Sequence, residues 1–229
     1  MARADKHRRS VLLAGASGLV GRELLPLLLQ DGAIGAIHLL LRRAPAGLAA
    51  DARLHRHEGV DFAALPALPP LDDVFIALGT TIKVAGSQAA FRAVDFDAVV
   101  ATARAARDAG ARRIAVVSAL GADPTSAVFY NRVKGEMEAA VAALGYEVTL
   151  FAQPSLLLGD RAATGQPTRA GEVWAARLLG PVMGLVPASV RPIAAATVAR
   201  AIVRALAELP PGVHRVASAR LQQLGAVAG

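Results

Sequence analysis

Two kinds of apolar block alternate along the chain. One is a short run of five or six residues with no polar interruption; the other is a longer stretch whose apolar residues recur at helical spacing. Ser10–Ala14 (SVLLA) is of the first kind and Leu19–Gln30 (LVGRELLPLLLQ) of the second. Short continuous runs suit parallel strands covered on both faces. Strands are thus predicted at Ser10–Ala14, Ala36–Leu41, within 53–60, at Asp73–Leu78, Arg113–Val117 and Tyr146–Phe151. Helices are predicted at Leu19–Gln30, Gln88–Ala109 and Thr125–Leu144, stopped by Asp31-Gly32, Gly110 and Gly145. Pro26 should kink the first helix or mark its opening turns. The proline-rich stretch Ala64–Pro70 and the stretch Lys83–Gln88 read as loops. Strand–helix alternation implies an α/β fold, a doubly wound parallel sheet with right-handed crossovers and a site at its carboxyl edge.

Beyond residue 156 the pattern weakens. It offers an apolar segment at Val173–Leu179, a Pro/Gly-rich turn at Pro181–Pro187, a helix at Ala194–Glu208 and a last strand at Val213–Ala217. The expectation is a single domain over 10–229, whose residues 156–229 form a small C-terminal α/β lobe on the substrate side, preceded by a frayed tail at 1–9. The prolines and glycines between Gly159 and Val190 suggest a lid-like region that selects the substrate.

Composition narrows the classes. The 229 residues are 54% hydrophobic and 19% charged, which excludes a disordered chain. With no cysteine there is no disulfide and no thiolate metal site, which fits a reducing compartment. The net charge of +7 is spread over Arg8-Arg9, Arg42-Arg43, Arg112-Arg113, Arg200 and Arg204, and reads as a solvated basic surface. Nucleic acid is excluded as the main partner, because basic residues do not cluster and aromatics are only 4%. A basic N-terminus precedes an apolar run, but glycines interrupt that run, and no apolar stretch of about 20 residues follows. The expectation is a cytoplasmic protein without a membrane partner. His38 reads as a packed or edge residue; His55 and His57 share one strand face and Glu58 the other, so no metal site is expected.

The chemistry begins at Gly15, Gly18 and Gly21, between the first strand and the first helix. Helix N-terminal amides and the helix dipole favour a phosphate there. Gly15 permits the sharp turn, Gly18 lets backbone approach a pyrophosphate, and Gly21 lets helix pack on strand; Ser17, Leu19 and Val20 belong to the same cradle. The spacing is G-x-x-G-x-x-G rather than G-x-G-x-x-G. Strand two ends in Arg42-Arg43, where an acidic residue would bind the ribose 2′-hydroxyl of NAD. Two arginines suit the 2′-phosphate of NADP. Asp61 and Phe62 end strand three beside the adenine, where Asp61 can accept from its amino group. Leu78 and Gly79 end the central strand and admit the cofactor, and Thr80 and Thr81 offer hydroxyls in the same crevice.

Ser118, Tyr130 and Lys134 form the reactive set. Tyr130 and Lys134 are four residues apart on one helix face, and Ser118 ends the preceding strand. A phenol with a pKa near 10 is a poor acid–base group at neutral pH, and a neighbouring ammonium favours its phenolate. Tyr130 can then exchange a proton with a substrate oxygen that Ser118 orients, while Lys134 holds ribose hydroxyls.

GASGLVG at 15–21, Arg42-Arg43, LGTT at 78–81, VSALGAD at 117–123 and YNRVK at 130–134 together resemble the short-chain dehydrogenase/reductase superfamily. The resemblance is to its atypical and extended branch, close to the Tat-interacting-protein oxidoreductase-like group and its bacterial NAD(P)-binding relatives. It covers about residues 10–160 and implies a Rossmann fold with NADP (NADPH) across the carboxyl edge of the sheet. It also places Asp95 where that branch usually has asparagine, and Pro154 and Ser155 beside the nicotinamide. Gln153 stands where relatives often carry arginine, so a charged contact to substrate is lost. The implied function is NADP-dependent hydride transfer to or from a small carbonyl or alcohol substrate, by a monomer or homodimer. The alternatives are a non-catalytic NADP-binding regulatory or interaction protein and, with a C-terminal part too short to enclose it, a nucleotide-sugar epimerase.

Overall fold

The computed structural model describes residues 8–43, 50–158, 187 and 189–226. The predicted segments Val173–Leu179 and Pro181–Pro187 (Pro187 itself excepted), and most of the lid-like stretch, lie outside these.

The described elements run β1 (Arg9–Ala14), α1 (Leu19–Gln30), β2 (Ile34–Leu40), β3 (Leu54–His57), β4 (Asp73–Ile76), α2 (Ile82–Ala85), α3 (Gln88–Arg92), a π-helical turn at Ala93–Ala98 and α4 (Val99–Asp108). They continue with β5 (Arg113–Val117), α5 (Phe129–Ala142), β6 (Val148–Gln153), β7 (Leu157–Leu158), β8 (Ile193–Ala194), α6 (Ala195–Glu208), β9 (Gly212–Ala217) and α7 (Ser218–Leu224). Seven strands form one parallel sheet in the order β3-β2-β1-β4-β5-β6-β9, and β7 pairs with β8 separately.

Alternation along each strand divides the core. Val11 and Leu13 of β1 face α1 and α6 with Leu24, Leu28, Val198 and Ile202; Leu12 and Ala14 face α4 and α5 with Val99, Ala103, Met137 and Val141. All eight helical residues named are at most 1% exposed, so both faces are sealed as a parallel sheet requires. Pro26 does not end α1: it sits on the exposed side.

Three expectations change. The helix predicted over Gln88–Ala109 contains the π-helical turn, which turns Asp95 into the core at 1% exposure. The helix predicted from Thr125 begins at Phe129, because Asp123 Oδ1 accepts both the amide and the hydroxyl of Thr125 and holds a turn ahead of it. The loop predicted at Lys83–Gln88 contains α2, N-capped by Thr81 and closed by Gly86. The C-terminal residues also do more than flank the site: α6 packs on α1, and β9 extends the main sheet beside β6.

The basic surface is not uniformly solvated. Asp73, fully buried at the start of β4, accepts from Arg9 Nη1 at 2.5 Å and from Arg113 Nε and Nη2 at 2.7 and 2.9 Å. Two arginines from neighbouring strands thus neutralise one buried carboxylate at the amino end of the sheet, away from the site.

Candidate active site at the carboxyl edge

A continuous crevice crosses the carboxyl edge of the sheet in two parts. Gly18, Ala77, Leu78 and Gly79 line both and join them.

The first part, about 900 Å³, lies over β1, β2 and β3. Gly15, Ser17, Gly18, Arg42, Arg43, Asp61 and Phe62 all line it. Gly15 has φ +90°, and a Cβ there would stand 2.5 Å from the Ala77 carbonyl oxygen, so the turn and the end of β4 meet backbone to backbone. A Cβ on Gly21 would come within 2.0 Å of the Gly15 oxygen. Gly21 therefore packs the helix against the turn itself, where packing on the strand was expected. Gly18 caps α1 with no side-chain bond to the first amides, which leaves the helix N-terminus able to donate to a ligand. Arg42 and Arg43 are exposed immediately after β2 and Leu41. Asp61 Oδ1 accepts from the Ala63 amide at 2.9 Å, which orients the carboxylate.

The second part, about 500 Å³, gathers Leu19, Val20, Thr80, Thr81, Asp95, Ser118, Tyr130, Lys134, Pro154 and Ser155. Ser118 is 4% exposed, and its Oγ has no hydrogen-bond partner among the described residues. Lys134 is 3% exposed, and its Nζ lies 2.7 Å from Asp95 Oδ1. Asp95 Oδ2 accepts the Thr80 amide at 2.8 Å, so one carboxylate ties the end of β4 to α5. Burial, the largest single influence, pulls the Lys134 pKa down, but Asp95, Tyr130 and Glu138 together outweigh it; the net shift is upward and the ammonium is kept. The Tyr130 ring packs at 5.4 Å from Phe91.

Sequence reasoning missed several supporting groups. Gly135 lets α5 lie against Asp123-Pro124, since a Cβ there would sit 2.2 Å from that backbone. Glu138, 1% exposed and one turn beyond Lys134, accepts from Gln153 Nε2 at 2.9 Å and Arg215 Nε at 2.8 Å. Gln153 is therefore engaged beneath the site and does not line the crevice. The Tyr130, Lys134, Glu138 spacing of four would have revealed the shared face. Ser155 Oγ donates to the Arg191 carbonyl at 2.5 Å and accepts from Ser218 Oγ at 2.9 Å, which anchors this wall to the chain before β8 and to α7.

The histidines form a group apart from this crevice. His38 stacks on His55 at 4.7 Å, and its Nδ1 is 3.1 Å from His57 Nε2. Burial, then the charges of His55 and His57, lower the His38 pKa to about 4. Among the described residues no group of His, Cys, Asp and Glu has the arrangement of a metal site.

A buried hydroxyl without a partner, an uncapped helix N-terminus and glycines admitting backbone contact all fit a dinucleotide lying across this edge. Parallel sheets so equipped are Rossmann-type dinucleotide-binding folds. The family model for NAD(P)H-binding proteins matches residues 15–173, and the chain belongs to that family. It is similar to protein fmp52, mitochondrial, of Emericella nidulans, with 37% identity over 76% of this chain and 77% of that one. The protein of the same name from Aspergillus fumigatus is 34% identical over 90% and 93%. The fold is shared with UDP-N-acetylglucosamine 4-epimerase from Methanobrevibacter ruminantium M1, solved with UDP-N-acetylmuramic acid, at TM-score 0.69 and 14% identity, covering 94% of this chain and 80% of that one.

The relatives correct one expectation: they are named mitochondrial proteins, which overturns the assignment to the cytoplasm. That assignment rested on features the chain lacks, and such a lack does not identify a compartment. Among the described residues no helix is long and apolar enough to cross a membrane.

Proposed function

We propose that the chain is an NADP-dependent oxidoreductase acting on a carbonyl compound or the corresponding alcohol, with Tyr130 as the acid–base group. The observation that carries this reading is Ser118 Oγ, buried and unpartnered in the same cleft as Tyr130 and the charged Lys134. A buried hydroxyl without a partner costs about 1–3 kcal/mol, a cost a substrate oxygen removes. When bound, the cofactor would supply the hydride, two electrons with one hydrogen nucleus, for the carbonyl carbon. Tyr130 Oη gives its proton to the carbonyl oxygen as the C=O π bond becomes an O–H bond, and takes one back in the reverse direction. Ser118 Oγ donates to the same oxygen and fixes its position. Lys134 keeps a positive charge beside the phenol and reaches the nicotinamide ribose. The Gly15–Gly21 turn holds the pyrophosphate, Asp61 and Phe62 the adenine, and Arg42 and Arg43 the 2′-phosphate. Thr80, Thr81, Pro154 and Ser155 frame the nicotinamide.

One feature favours a second reading, a protein that binds NADP as a signal without turnover. Asp95 lies 2.7 Å from Lys134 Nζ and offsets the positive charge in the cleft. NADPH oxidation against a panel of aldehydes and ketones separates the two. The oxidoreductase is expected to turn over at least one of them, and Tyr130→Phe to cut that turnover by about 100-fold or more with NADPH affinity retained. Full turnover by Tyr130→Phe removes the proton role, and tight NADPH binding without turnover of any carbonyl supports the signalling protein.

A further inference from the structure

Seven large apolar side chains are exposed among the described residues: Ile82, Val84, Leu120, Val128, Leu156, Val190 and Val213. All but Val213 belong to one end of the sheet. Ile82 and Val84 are on α2, after β4; Leu120 and Val128 lie between β5 and α5; Leu156 follows β6. Val190 joins them because Ser155 Oγ bonds the carbonyl of its neighbour, Arg191. Their exposure is substantial, 57% for Val128 and 52% for Val190. Scattered single apolar residues carry no message, whereas a group rimming a cleft marks a ligand surface. This rim is continuous with the reactive part of the crevice, since Ile82 and Leu156 line the same cavity as Ser118 and Tyr130.

The charges in that cavity point the same way. Its ionic lining residues are Lys83, Asp95 and Lys134, and the last two are paired with each other. Among the described residues that leaves Lys83 to meet an anionic substrate, where a phosphate or diphosphate calls for several convergent donors. Before α5 the exposed Asp123 and Thr125 are bonded to each other, and Val128 is exposed in the same turn; Arg132 Nη1, from α5, donates to the Ser126 carbonyl at 2.8 Å.

We infer that the substrate is an uncharged carbonyl compound with an extended apolar tail, a medium- or long-chain aldehyde or ketone whose tail lies along this rim, and not a phosphorylated or nucleotide-linked compound. The inference rests on the oxidoreductase reading above. It assigns Ile82, Leu120, Val128 and Leu156 as specificity-determining residues. Reduction follows the balance already given: hydride to the carbonyl carbon, a proton from Tyr130 to the oxygen, NADPH oxidised and the aldehyde reduced to the alcohol.

The experiment has two arms on the full chain. In the first, NADPH-loaded protein reduces straight-chain aldehydes from acetaldehyde to dodecanal, with glyceraldehyde 3-phosphate as the charged comparison. In the second, the NADP⁺-loaded protein is titrated calorimetrically with primary alcohols from ethanol to dodecanol, which reads binding without turnover. Each buried methylene should raise alcohol affinity about three- to fourfold until the rim is covered, with kcat/KM for the aldehydes rising in parallel and the phosphorylated aldehyde poorest. Leu156→Ser and, separately, the more exposed Val128→Ser should flatten both dependences while leaving NADPH affinity as it was. Alcohol affinity that does not change with chain length, or a preference for the phosphorylated aldehyde, overturns the inference even if turnover occurs. Rising alcohol affinity without turnover of any aldehyde overturns the oxidoreductase reading instead and supports an apolar ligand at this rim.

Discussion

The two parts of the crevice share a floor and differ in how they handle charge. Over β1–β3 the ionic groups are in water: Arg42, Arg43 and Asp61 are all exposed. Over β4–β6 Lys83 is exposed at the edge, but Asp95 and Lys134 are buried, 1% and 3% exposed, and sit 2.7 Å apart, with a Ser118 hydroxyl unpartnered among the described residues in the same cavity. Solvated arginines cost little to maintain and their attraction is screened by salt, which suits choosing between two cofactors. A desolvated pair is expensive to assemble but holds its geometry and field, which suits chemistry on a bound substrate.

The comparison breaks first on stability. Lys134→Met leaves the Asp95 carboxylate buried without its counter-charge and should cost about 3–5 kcal/mol, read from chemical denaturation. The paired change Arg42→Ala with Arg43→Ala should stay within about 0.5 kcal/mol of the parent. Equal costs would end the distinction between the two parts. The arginine pair should instead lower NADPH affinity by about tenfold or more while leaving NADH nearly unchanged, and should flatten the salt dependence of NADPH binding, measured by titration at several ionic strengths. An unchanged preference would remove the 2′-phosphate assignment.

Asp95→Asn sharpens the contrast without emptying the site. The asparagine oxygen still accepts the Thr80 amide, but the largest of the charges that raise Lys134 against burial is gone. The lysine pKa should then fall, and the alkaline limb of the pH–rate profile should move to lower pH. A limb that stays in place would show that the ion pair does not control the charge of Lys134.

The smallest effect belongs to His38. Its pKa is lowered from 6.5 to about 4 in the folded protein, mainly by burial. Between these values the unfolded chain binds more protons than the folded one, so stability is complete above about pH 6.5 and is lost as pH falls toward 4. His38→Gln should reduce this acid sensitivity, read as the change in melting temperature between pH 7 and 5, without altering NADPH affinity at neutral pH.

The elements with a clear local signature were readable. The run SVLLA, the glycine turn and the helix Leu19–Gln30 appear in the structure with the same helix limits and one more strand residue, Arg9. The strand predicted from Tyr146 begins instead at Val148. Tyr146 is drawn out of it because its hydroxyl donates to the Ala103 carbonyl of α4 at 2.5 Å, a contact 43 residues away. The π-helical turn was hidden for a similar reason: AVDFDA keeps an ordinary helical composition, and the extra residue per turn shows only in backbone bonding. Asp73 reads only as the start of a strand, and Asp95 only as standing where the resembled branch has asparagine; neither reading reveals that each is buried against cations from other elements.

By itself the sequence determined what depends on near neighbours: which runs are strands, which helix follows the glycine turn, that Tyr130 and Lys134 share a helix face, and that two arginines end β2. Those follow from a period of two or 3.6 residues and from glycine's freedom at φ +90°. Tertiary structure decided which charges lose their water. Asp95 meets Lys134, Glu138 meets Gln153 and Arg215, and Asp73 meets Arg9 and Arg113 only after the sheet brings distant segments together. Desolvation is a property of enclosure, so whether an acid is a solvated surface group or one half of a buried pair is decided when the faces of the sheet close.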